Sequence, residues 1–133
     1  MQERSGDVGR STRARPPRLV LPCREPSDVA RAEHVAFAFA RDAGLRGVDA
    51  WYPASGAAML AAHLVSRGGD GELELRVVAA PRPALELIAT DEGAPLEGFS
   101  PEIVAARGYA SELRVSWHAA AGSIVTARFW IRV

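Results

Sequence analysis

The sequence contains no lysine and no asparagine, and each absence excludes a kind of chemistry. Without lysine, the chain cannot carry a Walker-type phosphate loop, a Schiff-base lysine or a lysine general base. Without asparagine, it lacks one common magnesium ligand and the amide side chain that is favoured at helix caps. These exclusions hold whatever the genomic cause of the two absences.

Cysteine and long apolar runs are also scarce. Cys23 is the single cysteine, which allows no intramolecular disulfide and no cysteine metal site and fits a reducing cytoplasm. No apolar run approaches the ~18 residues that indicate a membrane-spanning helix, and the N-terminus lacks the apolar core of a signal peptide. We therefore expect a cytoplasmic protein that has no membrane partner.

The composition is that of an ordinary globular domain. The chain has 133 residues, of which 48% are hydrophobic and 24% are charged, enough for one domain with its own core. Sixteen arginines balance sixteen acidic residues, so the net charge is zero. A general nucleic-acid binder would show a clear basic excess, so the sequence indicates no nucleic-acid partner.

The first 17 residues differ in composition from the rest of the chain. Four arginines outnumber two acidic residues there, and apolar residues are almost missing. Such a segment buries too little surface to order itself, so we expect a disordered tail over residues 1–17 and a folded domain over residues 18–133. An electrostatic docking arm is the alternative, but an unstructured extension is the interpretation we favour.

Periodicity and caps predict eight elements after the tail. Period-two alternation indicates the strands, and apolar faces that begin at serine or end at glycine indicate the helices. The predicted order is β-α-α-β-β-α-β-β, with elements at about 18–22, 29–43, 50–67, 72–78, 84–90, 101–110, 113–117 and 123–131. Helices and strands come in blocks, which predicts an α+β fold. We expect a two-layer α/β sandwich whose mixed, largely antiparallel sheet carries helices on one face.

Three strings of residues resemble a known family. They are Leu21-Pro22-Cys23-Arg24 followed by Asp28-Val29-Ala30-Arg31, Asp91-Glu92-Gly93 after an apolar strand, and Val125-Thr126-Ala127-Arg128-Phe129-Trp130. In this order and spacing they resemble motifs of the RsbT-like switch kinases, which are small anti-sigma-type serine kinases of the GHKL (histidine-kinase-like) ATPase superfamily. The resemblance covers residues 18–132 and implies the GHKL, or Bergerat-like, sandwich.

The resemblance also implies a catalytic N-box on the second helix, and this sequence departs from it. The family has a glutamate general base there and, four residues later, an asparagine that helps to hold Mg²⁺. The matching positions are Met59 and His63. Methionine cannot accept a proton, and imidazole is a poor ligand for magnesium, which prefers hard oxygen. We therefore treat both positions as degenerate and expect no catalytic residue.

The nucleotide-binding motif is only partly kept. Asp91 and Gly93 match the family's D-x-G-x-G box, but Pro95 stands at its last glycine. Only eleven residues separate Gly93 from Ala105, where the family has an ATP lid and a second glycine box. We interpret Asp91 and Gly93 as vestigial cofactor-binding residues and expect a shortened lid. For present use we favour the alternative that Asp91 is a strand-end turn residue, because its phosphate-binding partners are missing.

The remaining candidates are a histidine and an aromatic pair. His63 has no ligand spacing with His34 or His118, so no metal site is predicted, and a solvated or hydrogen-bonded histidine is favoured. Trp51 and Tyr52, near the start of the second helix, are the best candidates for an exposed partner-binding pair. Core packing is the alternative for the tryptophan.

Together these features predict a bacterial pseudokinase, similar to anti-sigma regulatory factors, that acts as a protein-binding module in a stress or sigma-factor partner switch. The resemblance implies a STAS-domain antagonist and a phosphatase or sigma-type regulator as partners, and no cofactor is expected. The alternative is a divergent but active serine/threonine kinase that uses ATP and Mg²⁺ to phosphorylate a STAS-domain antagonist. A third interpretation is a small domain that only forms homodimers.

Overall fold

The computed structural model describes residues 17–132, which form three helices and one five-stranded sheet. In chain order the elements are β1 (Arg18–Cys23), α1 (Ser27–Asp42), α2 (Val48–Ser66), β2 (Gly71–Val78), β3 (Ala84–Asp91), α3 (Pro101–Tyr109), β4 (Glu112–His118) and β5 (Gly122–Trp130). The predicted order and the α+β class are confirmed. Except for Pro17, the predicted tail lies outside the described residues. Within residues 17–132, no helix is both long enough and apolar enough to cross a membrane.

Every pairing of strands in the described part of the chain is antiparallel, in the order β1-β2-β3-β5-β4. The expectation of a mixed sheet is therefore wrong. The chain leaves β1 at Cys23, passes through α1 and α2, and returns beside the same end of β1. The first residue of β2, Gly71, therefore pairs with Cys23. Strand β4 does run parallel to β3, but β5 pairs with both and lies between them. This insertion removes the one contact that would have been parallel.

Small side chains on α2 bring the helical layer close to the sheet. Five alanines of this helix are buried, Ala50, Ala54, Ala57, Ala58 and Ala61. A Cβ added at Gly56 would stand 2.9 Å from the ring of Phe129 in β5, so the backbone of α2 approaches that strand directly. Fully buried leucines of α2, β2 and β3 fill the surrounding space: Leu60, Leu64, Leu73, Leu75, Leu85 and Leu87. These small side chains therefore place α2 directly against the core.

The face of the sheet opposite the helices carries a buried carboxylate. Glu86 is 2% exposed and lies between Arg76 of β2 and Arg128 of β5. Arg76 donates to Oε1 at 2.9 Å, and Arg128 donates to Oε2 at 2.7 Å. Burial raises the pKa of Glu86, but the hydrogen bonds from Arg128 and Arg76 outweigh it, and the net pKa is below the ordinary value. The charged Glu86 therefore fastens three adjacent strands together.

Candidate functional site

A carboxylate at the end of β3 and an arginine at the end of α2 form the centre of the site. Asp91 is 5% exposed, and Arg67 directly follows the last residue of α2. The guanidinium binds the carboxylate through two nitrogens: Nη2 donates to Oδ1 at 2.9 Å, and Nε donates to Oδ2 at 3.2 Å. Because the fork of one guanidinium matches both oxygens, one arginine neutralises the buried charge.

Arg67 also binds the chain that follows Asp91. Its Nη2 donates to the carbonyl of Ala94 at 2.5 Å and to Oγ of Ser123 at 3.1 Å, and Ser123 donates to the same carbonyl at 3.1 Å. A Cβ added at Gly93 would stand 2.6 Å from Nη2 of Arg67, so the guanidinium fills the space beside this glycine. One side chain therefore ties together the end of α2, the end of β3, the start of β5 and the segment after β3.

The turn after β3 is stabilised by Asp91 itself. The N–H of Gly93 donates to Oδ1 of Asp91 at 2.7 Å. An aspartate carboxylate that accepts from the backbone N–H two residues later is typical of turns that aspartate initiates. The interpretation of Asp91 as a strand-end turn residue thus has the contact that it requires. A role of Asp91 and Gly93 in holding a nucleotide stays a prediction.

Met59 and His63, which the resemblance assigns to the N-box, precede Arg67 along α2 at intervals of one helical turn, and we refer to them below as the N-box positions. Met59 is half-buried and packs against the core. His63 is 1% exposed, and its Nδ1 lies 3.3 Å from Oγ of Ser100. The same hydroxyl accepts a hydrogen bond from the N–H of Ile103 at 3.2 Å, which makes Ser100 the N-cap of α3, as the sequence predicts. His63 therefore helps to hold the start of α3.

The pKa of the His63 imidazole lies below its ordinary value. Burial lowers its pKa, the charges of Asp91 and Glu102 raise it, Arg67 lowers it, and the net shift is downward from the ordinary value. Its Nε2 has no hydrogen-bond partner among the described residues. A hydrogen-bonded histidine, one of the two forms favoured from the sequence, agrees with this geometry. No group of three or more His, Cys, Asp or Glu side chains within residues 17–132 is arranged to hold a metal ion.

A cavity of about 360 Å³ opens beside Asp91, and Thr90 and Ala121 also line it. Its walls carry three further carboxylates, those of Asp70, Glu72 and Glu92. Neither N-box position lines it, and no arginine of the described chain does so. A wall of one negative sign repels a polyphosphate. The open space at this end of the sheet is therefore poorly suited to the triphosphate of a nucleotide.

The two aromatic residues predicted as a partner-binding pair have different neighbours. Trp51 and Tyr52 are 49% and 44% exposed, in agreement with the prediction that they lie at the surface. Trp51 stacks on Phe37 of α1, with ring centroids 4.2 Å apart. Tyr52 instead lines a cavity together with Tyr109 and Trp130. Successive residues of a helix point about 100° apart, so the two side chains do not form one contact surface.

Sequence reasoning missed Arg67, the residue that organises this site. A buried aspartate at a strand end requires a cationic partner. Because the chain has no lysine, arginine is the expected type of partner. Sixteen arginines remain, however, and Arg67 lies 24 residues before Asp91. The usable signal is the spacing along α2, because Arg67 follows His63 by one helical turn and so shares the face of the N-box positions. Ser123 was missed too, and no signal marks it.

No protein-family model matches this chain, and none of the curated proteins matches it in sequence. The resemblance to the RsbT-like kinases therefore depends on the three motif strings and on the positions of their residues in the fold.

Proposed function

We propose that this chain is a degenerate switch kinase of the RsbT-like branch of GHKL ATPases, and that it works as a protein-binding module in a stress or sigma-factor partner switch. The α+β order, with three helices packed on an open sheet, is compatible with the GHKL sandwich. Asp91, the first residue of the string that resembles the glycine box, ends the central strand β3, and the string Val125–Trp130 lies in β5.

The observation that carries the proposal is the ion pair between Asp91 and Arg67. In the family, the matching aspartate binds the amino group of adenine. Here both carboxylate oxygens accept from Arg67, and Oδ1 accepts from Gly93 as well. Three of the roughly four acceptor sites of the carboxylate are therefore occupied, and the side chain that carries the remaining site is 5% exposed, so little of Asp91 is accessible to an incoming adenine. A neutral amino group does not replace such a charged, two-pronged interaction.

The N-box positions support the same proposal. A kinase must orient the attacking hydroxyl and hold Mg²⁺ against the phosphates. Met59 has no proton acceptor, and the Nδ1 of His63 is already in contact with Ser100. His63 is also buried, so a magnesium ion that keeps its hydration waters cannot reach the imidazole from solvent. The residues present therefore favour binding over catalysis.

The surface around Trp51 is suited to a protein partner. Trp51 stacks on Phe37, and the guanidinium of Arg41 lies 5.8 Å from the centroid of the Phe37 ring. Exposed aromatic side chains beside arginine are the residue types enriched in the hot spots of protein interfaces. We propose this patch of α1 and α2 as the surface that contacts a STAS-domain antagonist or a phosphatase or sigma-type regulator.

The test is to mix the chain with the STAS-domain proteins of the same genome and with labelled Mg-ATP. We expect a stable complex by size-exclusion chromatography and no transfer of labelled phosphate. Trp51→Ala should weaken the complex by about tenfold or more, in line with the loss of a hot-spot tryptophan. Trp117→Ala is the control for loss of an exposed indole outside this patch, because Trp117 of β4 is 46% exposed and its Nε1 donates to the carbonyl of Gly93 at 3.4 Å.

Two results would contradict the proposal. ATP-dependent labelling of a STAS-domain protein by this chain would establish the active kinase instead. Failure to bind any STAS-domain protein, phosphatase or sigma-type regulator of that genome would exclude a role in a partner switch.

A further inference from the structure

A second cavity lies at the end of the sheet opposite Asp91, and its chemistry differs from that of the first. It opens between the first turns of α2, the end of α3 and the paired ends of β3 and β5, and its volume is about 200 Å³. The side chains that give it chemical character are Asp49, Tyr52, Arg82, Tyr109, Trp130 and Arg132. With Phe129, which also lines the cavity, two cations and four aromatic rings converge on one small concave surface.

The two arginines of this cavity retain their hydrogen-bonding capacity. Among the described residues, neither Arg82 nor Arg132 forms a salt bridge or a side-chain hydrogen bond. The guanidinium of Arg82 instead lies 4.6 Å from the centroid of the Trp130 ring. A ring positions a guanidinium without neutralising it, so within residues 17–132 no acceptor occupies the N–H donors of Arg82, and they can bind an anion.

The charge and the size of the cavity limit what it can hold. Asp49 also lines the cavity, so the lining side chains within residues 17–132 carry two positive charges and one negative charge, a net charge of one positive. A monoanion balances that charge. Small-molecule sites usually enclose about 300–1,000 Å³, and this cavity is smaller, so a nucleotide does not fit. A single side chain of a bound protein segment has the appropriate size.

The aromatic walls add a preference for an apolar neighbour. Tyr52 and Tyr109 are 44% and 41% exposed, and their side chains form no hydrogen bond with another described residue. Tyrosine offers a flat apolar ring together with a hydroxyl that can donate to an anion. The walls therefore suit a carboxylate that stands beside an aromatic residue on the same segment.

We propose that this cavity binds a glutamate or aspartate carboxylate of an acidic, aromatic-containing segment of a partner protein, with Arg82 and Arg132 as its ligands. The inference rests on the proposed function as a protein-binding module, and it names the chemistry that the partner presents. The site is separate from the patch around Trp51, because Tyr52 and Trp51 face different neighbours. A partner that uses both surfaces would span the start of α2.

The probes are three fluorescein-labelled pentapeptides that share a central phenylalanine between glycine ends. One carries glutamate on each side of the phenylalanine, one carries glutamine, and one carries phosphoserine. Fluorescence anisotropy should show saturable binding of the glutamate peptide, weakened by added salt, and at least tenfold weaker binding of the glutamine peptide. In a ¹H–¹⁵N spectrum, the indole signal of Trp130 should move during the titration.

Four variants assign the binding to the cavity. Arg82→Gln and Arg132→Gln should each weaken binding of the glutamate peptide by about tenfold, because each removes a charged hydrogen bond. Asp49→Asn should strengthen it, because the variant removes a repelling charge. Arg114→Gln is the matched control, since Arg114 is exposed on β4 and does not line the cavity. Thermal melting checks that all four variants are folded.

The inference is overturned if the glutamate peptide binds no better than the glutamine peptide, if only the phosphoserine peptide binds, or if Arg82→Gln and Arg114→Gln have equal effects. These outcomes are distinct from failure of the proposed function. A chain that binds its STAS-domain partner with unchanged affinity after Arg82→Gln would lose this inference alone. A chain that binds the peptide in the cavity but also phosphorylates a STAS-domain protein would lose only the proposed function.

Discussion

At the scale of single residues, buried carboxylates are held by arginine and by backbone N–H groups, because the chain has no lysine. Asp91 has Arg67 and the N–H of Gly93, and Asp28 accepts from the N–H groups of Arg24 (2.7 Å) and Glu25 (3.2 Å). These backbone hydrogen bonds are the main reason that the pKa of Asp28 lies below its ordinary value. Asp28 and Asp91 each bind backbone N–H groups within four residues along the chain, so each carboxylate stabilises a turn next to a helix or strand end.

Removing the guanidinium of Arg67 is expected to destabilise the fold. Arg67→Ala leaves Asp91 buried and charged without its partner, which should lower the free energy of unfolding by about 3 kcal/mol. Urea denaturation of the purified variant measures this loss. Arg114→Ala, at an exposed arginine of β4, should change stability by less than about 0.5 kcal/mol. Equal effects of the two substitutions would mean that the Arg67–Asp91 pair contributes little to stability.

His63 should make stability depend on pH near neutrality. Its pKa in the folded state lies below the ordinary value of 6.5, so the unfolded chain binds more protons between the two values. Stability should therefore rise as the pH rises through that interval and should level off above pH ~6.5. Urea unfolding at half-unit steps from pH 5 to pH 7.5 measures the slope.

His63→Gln is the control for this pH dependence, because glutamine does not titrate. The slope between pH 5 and pH 6.5 should disappear in the variant. Asp28 and Glu86 cannot produce it, since their pKa values lie below ordinary values of 3.8 and 4.5, and their contributions are lost in more acidic solution. An unchanged slope in His63→Gln would refute the assignment.

At the scale of elements, α2 decides how the layers pack. It contacts α1, α3 and four of the strands, and its buried alanines allow these close approaches. The helix begins at Val48, two residues before the predicted start, so Pro53 lies inside it rather than in its first turn. The missing N–H of Pro53 leaves one carbonyl of the preceding turn without its helical partner. Packing against the core therefore overrides a residue that disfavours a helix interior.

A methyl group at Gly56 should be harmful although alanine is the better helix former. The added Cβ would stand 2.9 Å from the buried ring of Phe129, so Gly56→Ala should cost about 1–2 kcal/mol of stability through overpacking. Gly108→Ala is the matched control in α3, where nothing lies within 4 Å of the added Cβ. That variant should gain about 0.5 kcal/mol. Thermal or urea unfolding of the two variants should give opposite signs, and a stabilised Gly56→Ala would contradict the close approach of α2 to β5.

Restoring the family's N-box on α2 should not create a kinase. The double variant Met59→Glu, His63→Asn supplies a base and a magnesium ligand one helical turn apart, but it restores neither the lid nor the second glycine box. Phosphoryl transfer depends mainly on positioning and on stabilisation of charge around the γ-phosphate. Stability should fall as well, because Met59 packs against the core and His63 contacts Ser100. Robust ATP-dependent labelling of a STAS-domain protein by this variant would show that the lid is dispensable.

At the scale of the whole molecule, local signals predict the elements but not their arrangement. Ser100 and Pro101 mark the start of α3, and the alternation from Glu72 to Val78 marks β2, because caps and periodicity are local properties. The insertion of β5 between β3 and β4 depends on pairings between strands distant in sequence. The alternation of Leu85 and Leu87 with Glu86 fits either a parallel or an antiparallel neighbour, so the sheet was wrongly expected to be mixed.

The candidate site shows the same limit. Asp91, Met59 and His63 are singled out because the resemblance places them at the family's glycine box and N-box. The sequence does not reveal that Arg67 binds Asp91. It also does not reveal that Arg82, Trp130 and Tyr52 line one cavity, because these residues belong to separate parts of the chain. Contacts between elements follow from packing of the whole chain, which no local pattern records.

Our central proposal is that Arg67 occupies the place where the resemblance implies a nucleotide site, and titration calorimetry with Mg-ATP tests it most directly. The account predicts no saturable heat of binding up to millimolar Mg-ATP. Asp91 is already paired with Arg67, and the cavity beside it is acidic. His63 also replaces the asparagine that helps to hold magnesium in the family. Saturable binding in the micromolar range would contradict the account, and it would make the active kinase the better interpretation of this chain.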